Sequence, residues 1–174
     1  MKQFLFLLTF LFVLVFAKGQ APDSTAGSTP VSWKKYHIGI RAAAGIQRSF
    51  YTELGLSWQI YAYDARRGFA VNCFYIAFEW IPASSGGNPI YGVKAGVESV
   101  FNGGAGGFEI KYLFNDESED LVITPKLGFG LGIVNLFYGY NISTKKEPFP
   151  KIGKHQVSLV INSSMVFHHK KYDK

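Results

Sequence analysis

The sequence predicts an all-β fold, an antiparallel up-and-down transmembrane β-barrel of eight strands that follows a cleaved signal peptide. Three observations predict it: an apolar leader, a two-residue alternation of polar and apolar residues in about eight later segments, and turn residues between those segments. From residue 50 to 63, for example, the even positions are apolar except Thr52, and the odd ones include Glu, Gly, Ser and Gln. Because successive strand residues point to opposite faces, each such segment has one polar and one apolar face.

The first nineteen residues have the features of a secretory signal peptide. Lys2 supplies the positive start, a stretch of 14 residues from Phe4 to Ala17 is apolar except for Thr9, and the triplet Ala17-Lys18-Gly19 has the small-x-small pattern of a cleavage site. A retained membrane-spanning helix is the alternative, but it would need about 20 apolar residues. We therefore expect residues 1–19 to be a signal peptide that is removed after Gly19.

The remaining chain divides into a short tail, one domain and a short end. Residues 21–30 contain Pro, Asp, Ser, Thr and Gly without apolar periodicity, which predicts a flexible segment at residues 20–35. Residues 36–169 are expected to form the barrel domain, and residues 170–174 a C-terminal tail. The predicted strands are 36–47, 50–63, 69–81, 90–101, 105–114, 121–131, 134–143 and 156–168.

The connections between these strands contain Gly, Asn, Asp, Ser and Pro, and most are too short to hold a helix. Parallel strands need a crossover of a dozen or more residues, usually helical, so the pattern excludes a parallel sheet. An even number of strands places both ends of the barrel on one side, the periplasmic side. On this count residues 143–154 form the last extracellular loop.

The polar register collects all the charged residues of the predicted strand interiors. A charge that faced hydrocarbon would cost about 2–4 kcal/mol for Arg or Lys, so a membrane barrel should keep its charges in the lumen. An eight-stranded barrel is only wide enough for side chains to fill, so these charges should pair across the lumen and leave no open channel. The predicted lumen charge network comprises Arg41, Glu53, Glu79, Lys94, Glu98, Glu109, Lys111 and Lys126.

The same register carries glycines that would leave room for these charges: Gly39, Gly45, Gly55, Gly92, Gly96, Gly128, Gly130 and Gly139. The alternative fold is a water-soluble barrel or sandwich with its polar face outward. That fold would have to enclose most of the 16 Phe, 10 Tyr and 3 Trp in one small interior, whereas lipid accepts any volume. Tyr36, Trp80, Tyr91, Tyr112 and Tyr140, near predicted strand ends, also suit the aromatic belts of membrane barrels.

Composition excludes two further classes of protein. The net charge of +6 is scattered rather than gathered into a stripe, so the chain lacks the electrostatic footprint of a nucleic-acid-binding protein. Cys73 is the single cysteine, so no internal disulfide can stabilise the fold. Its register predicts that the thiol points inward and is packed.

Four local motifs contain residues that could form a site, and each has a simpler interpretation. His168 and His169 are adjacent on a strand and so point to opposite faces, which disfavours a shared metal ion. The glycine run 103–107 lacks the Lys and the helix of a phosphate-binding loop. The acidic run from Asp116 to Asp120 would bind a divalent cation only if its carboxylates converge, and a solvated loop is the usual outcome. Ser163 and Ser164 have no base oriented toward them. No catalytic, metal-binding or cofactor-binding residue is predicted.

Taken together, the pattern of residues 36–168 resembles the small eight-stranded outer-membrane β-barrel proteins of Gram-negative bacteria, and the leader ending Ala-Lys-Gly-Gln is similar to those common in the Bacteroidetes. The last strand alternates through Val157, Leu159, Ile161, Met165 and Phe167, as does the C-terminal signal that the barrel-insertion machinery recognises, although residues 168–174 follow it here. The resemblance implies a monomer in the cell outer membrane, in contact with its lipids and lipopolysaccharide. The lipid A deacylases of this kind carry a His-x-Ser pair, and none of the four histidines here has a serine two residues later.

These observations favour a non-enzymatic outer-membrane protein with a structural, adhesive or accessory role. A lipid-modifying membrane enzyme and a narrow solute channel are the alternatives. The arrangement of the lumen distinguishes these functions. Complete pairing of its charges would indicate a plug, and an unpaired acid beside a His or Ser would indicate an enzyme. A continuous water-filled gap would indicate a pore.

Overall fold

The computed structural model describes residues 32–64, 68–83, 88–145, 149–163 and 165–168. Within these ranges the chain forms one antiparallel sheet that closes on itself, and no described segment is a helix with the length and hydrophobicity needed to cross a membrane. The strands are β1 (Ser32–Ile46), β2 (Phe50–Asp64), β3 (Gly68–Ile81), β4 (Ile90–Phe101), β5 (Gly104–Phe114), β6 (Glu119–Gly130), β7 (Val134–Tyr140), β8 (Ile142–Ser143), β9 (His155–Asn162) and β10 (Met165–His168).

These ten segments form the eight strands of a barrel, because two of the eight are each made of two segments. Each of the eight barrel strands is called a stave. Strands β7 and β8 both pair with β6 and form one stave, which is interrupted at Asn141. The Asn141 backbone N–H donates to the Lys154 carbonyl at 2.7 Å. Strands β9 and β10 are likewise one stave on β1, and this pairing closes the barrel. The predicted closed eight-stranded antiparallel barrel is therefore confirmed.

The strand ends differ from the predicted ones by a few residues, and the largest difference is at the start. Strand β1 begins at Ser32, inside the segment expected to be flexible, because residues 32–35 pair with residues 61–64 of β2. Strand β6 begins at Glu119 instead of residue 121, since Glu119 pairs with Phe114. The predicted signal peptide and the tail at residues 170–174 lie outside the described residues.

The connections divide between two ends of the barrel. Among the described residues, the upper rim contains residues 47–49, 82–83, 88–89, 115–118, 144–145 and 149–154, and the lower rim contains residues 102–103 and 131–133. Both described ends of the sheet, Ser32 and His168, lie at the lower rim, as an even number of staves requires. The β4–β5 turn is the Asn102-Gly103 pair, with φ angles of 47° and 90°, a conformation that favours Asn and Gly in two-residue hairpins.

Burial alternates residue by residue along the staves. In β3 the odd positions from Val71 to Ile81 are buried and the even positions between them are exposed. The outward register is apolar apart from residues near the strand ends and the uncharged groups of Thr52, Asn72 and Ser99. The barrel is thus apolar outside, and its charged residues in the strand interiors are inside.

Close contact between staves makes Gly55 sensitive to substitution. A Cβ atom there would lie 2.2 Å from the Ile76 carbonyl oxygen, whereas at Gly106 the nearest atom, a Leu127 methyl carbon, would be 3.5 Å away. We expect Gly55→Ala to lower the free energy of unfolding by about 1–3 kcal/mol because the backbone has to shift. The matched Gly106→Ala should cost less than about 0.5 kcal/mol, as do most substitutions without such contacts. Urea titration followed by tryptophan fluorescence measures both, and equal losses would contradict the packing at Gly55.

Candidate functional site

The lumen of the barrel holds most of the buried charged side chains of the described residues, and it is filled in three layers. The upper apolar layer lies beneath the upper rim, the charged layer occupies the middle, and the lower apolar layer lies above the lower rim. The upper apolar layer comprises Tyr51, Ile81, Ile90, Leu113, Val122 and Phe149. The lower apolar layer comprises Tyr61, Val71 and Val100, with Ala43, Phe137 and Val160 packed beside it through Ala105.

Arg41 is the centre of one half of the charged layer. Its Nε atom lies 2.5 Å from Glu53 Oε1, and its two terminal nitrogens donate to both carboxylate oxygens of Glu98 at 3.0 and 2.6 Å. The guanidinium also lies over the ring of Tyr75, 3.6 Å from the ring centroid. Such two-pronged and stacked geometry is the arrangement in which a fully buried arginine is best stabilised.

Lys126 is the centre of the other half. Its ammonium donates three hydrogen bonds of 2.7 Å, to Glu98, to Glu109 and to the Tyr75 hydroxyl, which uses every proton that it carries. Lys111 lies 3.5 Å from Glu109 and donates to the Gln156 side-chain oxygen at 2.7 Å. The Lys94 ammonium also lies 3.8 Å from Glu109, so three lysines lie within salt-bridge distance of this carboxylate.

Lys94 links the remaining two acids. Its Nζ atom lies 2.6 Å from Glu53 Oε2 and 2.5 Å from Glu79 Oε2. Neither contact has the angles of a hydrogen bond, so both are ion pairs held by charge attraction. Glu79 is fully buried, and Lys94 is the cation within salt-bridge distance of its carboxylate among the described residues.

The structure thus brings all eight predicted residues of the lumen together. Contacts of 3.5 Å or less connect them in a single chain, and four positive charges balance four negative ones. Taking an ion out of water costs several kcal/mol, which a buried charge offsets only through close partners. The order of the chain is Glu79, Lys94, Glu53, Arg41, Glu98, Lys126, Glu109 and Lys111.

The two apolar layers and Tyr75 were not predicted as parts of the lumen. The inward register was expected to be polar, and the inward glycines were expected to make room for charges. Several of them instead make room for rings and apolar chains: a Cβ at Gly96 would lie 2.6 Å from the Tyr75 hydroxyl, and one at Gly45 would lie 2.5 Å from the Tyr51 ring. The sequence did contain a signal for these buried rings, because Tyr51 and Tyr75 occupy inward positions of their strands.

Both ends of the lumen are covered. At the upper rim Phe149, which belongs to no strand, is 4% exposed and completes the upper apolar layer. At the lower rim the turn at residues 131–133 brings Gly132, with a φ of 84°, against Val71. Asn135 holds that turn, since its side chain accepts from the Gly132 N–H at 3.0 Å and donates to the Gly132 carbonyl at 3.2 Å.

The carboxylates of the acidic run at the upper rim face different partners and do not converge. Asp120 turns inward and accepts hydrogen bonds from Ser143, Thr144 and the Lys145 N–H, while Glu119 lies 3.4 Å from the Lys145 ammonium. Glu117 instead faces Asn88, at 3.4 Å. In the part of the chain that the structure describes, no group of three or more His, Cys, Asp and Glu side chains could hold a metal ion.

Cys73, the glycine run and Ser163 are each part of the packing or hydrogen bonding of the barrel. Cys73 is buried with its thiol free, and the glycine run forms the β4–β5 turn and the start of β5. The Ser163 hydroxyl is bonded to the backbone of Ile40, at 3.2 Å from its N–H and 3.3 Å from its carbonyl oxygen. The His168 side chain and all of His169 lie outside the described residues.

Comparison with known proteins finds no relative. No protein-family model, no curated protein and no solved structure matches this chain. Support for a function therefore comes from the filled lumen, the outer surface and the rims.

Proposed function

We propose that this protein is an integral outer-membrane β-barrel of a Gram-negative bacterium, exported by the signal peptide at residues 1–19, with a structural, adhesive or accessory role. The observation that carries the proposal is the inverted distribution of side chains. Arg41, Glu79 and Lys111 are fully buried, whereas Leu127, Phe129 and Leu131 are 65–76% exposed. Monomeric soluble proteins rarely expose contiguous apolar patches above a few hundred Å².

Aromatic rings at the upper ends of the staves also support a membrane location. Phe78 and Phe114 flank Tyr91, with ring centroids 5.9 and 6.1 Å from it, and Trp80 is the outward neighbour of Tyr91 across the β3–β4 pair. Rings at this level are typical of the girdle that membrane barrels place at the lipid–water interface. The membrane midplane would then cross the apolar band below them.

The filled lumen favours a structural role over a solute channel. The charged layer leaves each of its eight ions beside a partner of opposite sign, and an apolar layer covers it on both sides. A conducting pore would instead need polar surface that is continuous from rim to rim. Contact with the surroundings is therefore left to the loops of the rims and to the outer surface.

The enzyme alternative has less support in the described residues. The Ser163 hydroxyl is hydrogen-bonded to the Ile40 backbone, between β9 and β10 and in the lower half of its stave. His155 begins β9 at the upper rim, where its Nδ1 lies 2.5 Å from the Tyr138 hydroxyl. A serine and its base have to lie within hydrogen-bond reach, and these two lie at opposite halves of the same stave.

Membrane fractionation and gel migration test the location and the fold. We expect the chain in the outer-membrane fraction, with faster migration before boiling than after it, because a closed barrel resists detergent until it is heated. A soluble periplasmic protein with the same leader is the control for leakage. Recovery of the folded chain in the soluble periplasm would contradict the proposal.

Two further measurements test the alternatives directly. The purified barrel should leave the conductance of a planar bilayer at its baseline, since the lumen is filled. Lipid A from a deletion strain should have the same mass as lipid A from the parent strain. Stepwise conductance would favour the channel, and a changed number of acyl chains would favour the enzyme.

A further inference from the structure

The segment from Phe149 to Lys154 closes the top of the lumen without being part of the sheet. The Phe149 ring packs in the upper apolar layer, and Ile152 packs against the same layer. The Ile152 N–H donates to the Phe149 carbonyl at 3.1 Å, and this turn presents both side chains to the lumen. A loop thus supplies the side chain that covers the five strand residues below it.

Side chains and loops hold this segment in place. Arg48 donates to the Pro150 carbonyl at 2.9 Å, and Lys151 donates to the Asn88 carbonyl at 2.9 Å. The Asn141 side chain donates to the Gly153 carbonyl at 2.8 Å. The first two bonds are exposed to water, which can replace them at little cost.

The charged layer below does not depend on this segment. Every partner that holds its eight ions in place comes from a strand, including Tyr75 of β3 and Gln156 of β9. Removing the Phe149 ring would therefore uncover the upper apolar layer and leave the ion pairs intact. The lumen has two seals that are built from separate parts of the chain.

We propose that Phe149 is a detachable stopper in a preformed pocket, and that the vacated pocket takes a benzyl-sized apolar group. Its walls are Tyr51, Ile81, Ile90, Leu113 and Val122, which are apolar except for one phenol hydroxyl. The Phe149 ring then occupies the pocket in the closed state, and an aromatic group of an outside ligand would compete with it. The inference concerns only the barrel interior, so it stands whether or not the barrel is inserted in an outer membrane.

Cysteine labelling of the folded, detergent-solubilised barrel tests the stopper. Val122→Cys in a Cys73→Ser background reports on the pocket, and native Cys73, the ladder partner of Glu98, reports on the charged layer. A water-soluble maleimide should modify the cysteine at position 122 at least about ten-fold faster when Phe149→Gly is added, because the ring supplies its local protection. Cys73 should stay unmodified with either residue at position 149.

Further variants and a competition with benzene test which group the pocket binds, and whether the upper apolar layer can open while the charged layer stays closed. Phe149→Leu, which keeps an apolar plug, should label slowly, and benzene should slow labelling of the Phe149→Gly protein, since dry apolar cavities bind it. The double variant Arg48→Gln, Lys151→Gln keeps the ring, loosens the segment and should label at an intermediate rate. Any one of four results would overturn the proposal. They are loss of heat-modifiable migration in Phe149→Gly, an equal increase in the labelling rate of Cys73, an unchanged labelling rate at position 122, and no effect of benzene on labelling.

Discussion

Replacing Ile76 by arginine is expected to lower the free energy of unfolding in lipid vesicles by about 2–4 kcal/mol, the cost of a cation on the outer face near the bilayer midplane. Ile76 lies midway along β3, faces outward and is 65% exposed. An exposed side chain in water would tolerate the same change almost without cost. The substitution therefore measures which solvent surrounds the barrel.

Ile46→Arg is the matched control for this substitution. Ile46 is 63% exposed and also faces outward, but it is the last residue of β1, at the upper rim. Charges near the interface cost about 0–1 kcal/mol in membrane barrels, so its loss should be much smaller. Urea titration in vesicles, followed by tryptophan fluorescence, measures both losses. Two small and equal losses would show that water surrounds the outer surface.

Removing the cation on which Glu79 depends should be the most damaging change inside the lumen. We expect Lys94→Met to lower the free energy of unfolding by about 3–5 kcal/mol, because it removes the described cation within salt-bridge distance of the buried Glu79 carboxylate. The Glu53 carboxylate should be less destabilised by this substitution, because Arg41 still lies 2.5 Å from it. Urea titration in the same vesicles measures the loss.

A double-mutant cycle identifies the ion pair as the cause. Glu79→Gln alone should cost less than Lys94→Met, because Lys94 keeps its contact of 2.6 Å with Glu53. Adding Glu79→Gln to Lys94→Met should restore part of the lost stability, since the stranded carboxylate disappears. Strictly additive losses in the double variant would mean that these side chains act independently, against the 2.5 Å contact between them.

The faces of the barrel were predictable from sequence because strand geometry leaves little choice. With a period of two, the position of Glu79 in β3 determines that Phe78 and Trp80 face the other way, and the same rule holds in each stave. The charges identified the inward register because an ion on the apolar face would be costly. The Asn-Gly turn between β4 and β5 had an equally local signal.

The partners within the lumen were not predictable, because they depend on how far the staves are offset around the barrel. Lys126 and Glu98 are 28 residues apart and meet through the lumen instead of through a ladder pair. Phe149 was missed for another reason: it lies in a connection with Lys, Pro and Gly and without periodicity, so nothing marked it as buried. Likewise, the pairing of β8 beyond Asn141 depends on the loop that packs beside it.

The junction between β1 and the β9–β10 stave has a consequence for the order in which the chain folds. Along most of the sheet each stave pairs with its immediate successor, so hairpins can form over short stretches of chain. The junction instead joins positions about 120 residues apart, such as Arg41 and Asn162, and long-range pairing of this kind is intrinsically slow. Closure of the barrel is therefore the late kinetic step, and strand β1 stays unpaired on one side until the twelve residues of β9 and β10 pair with it.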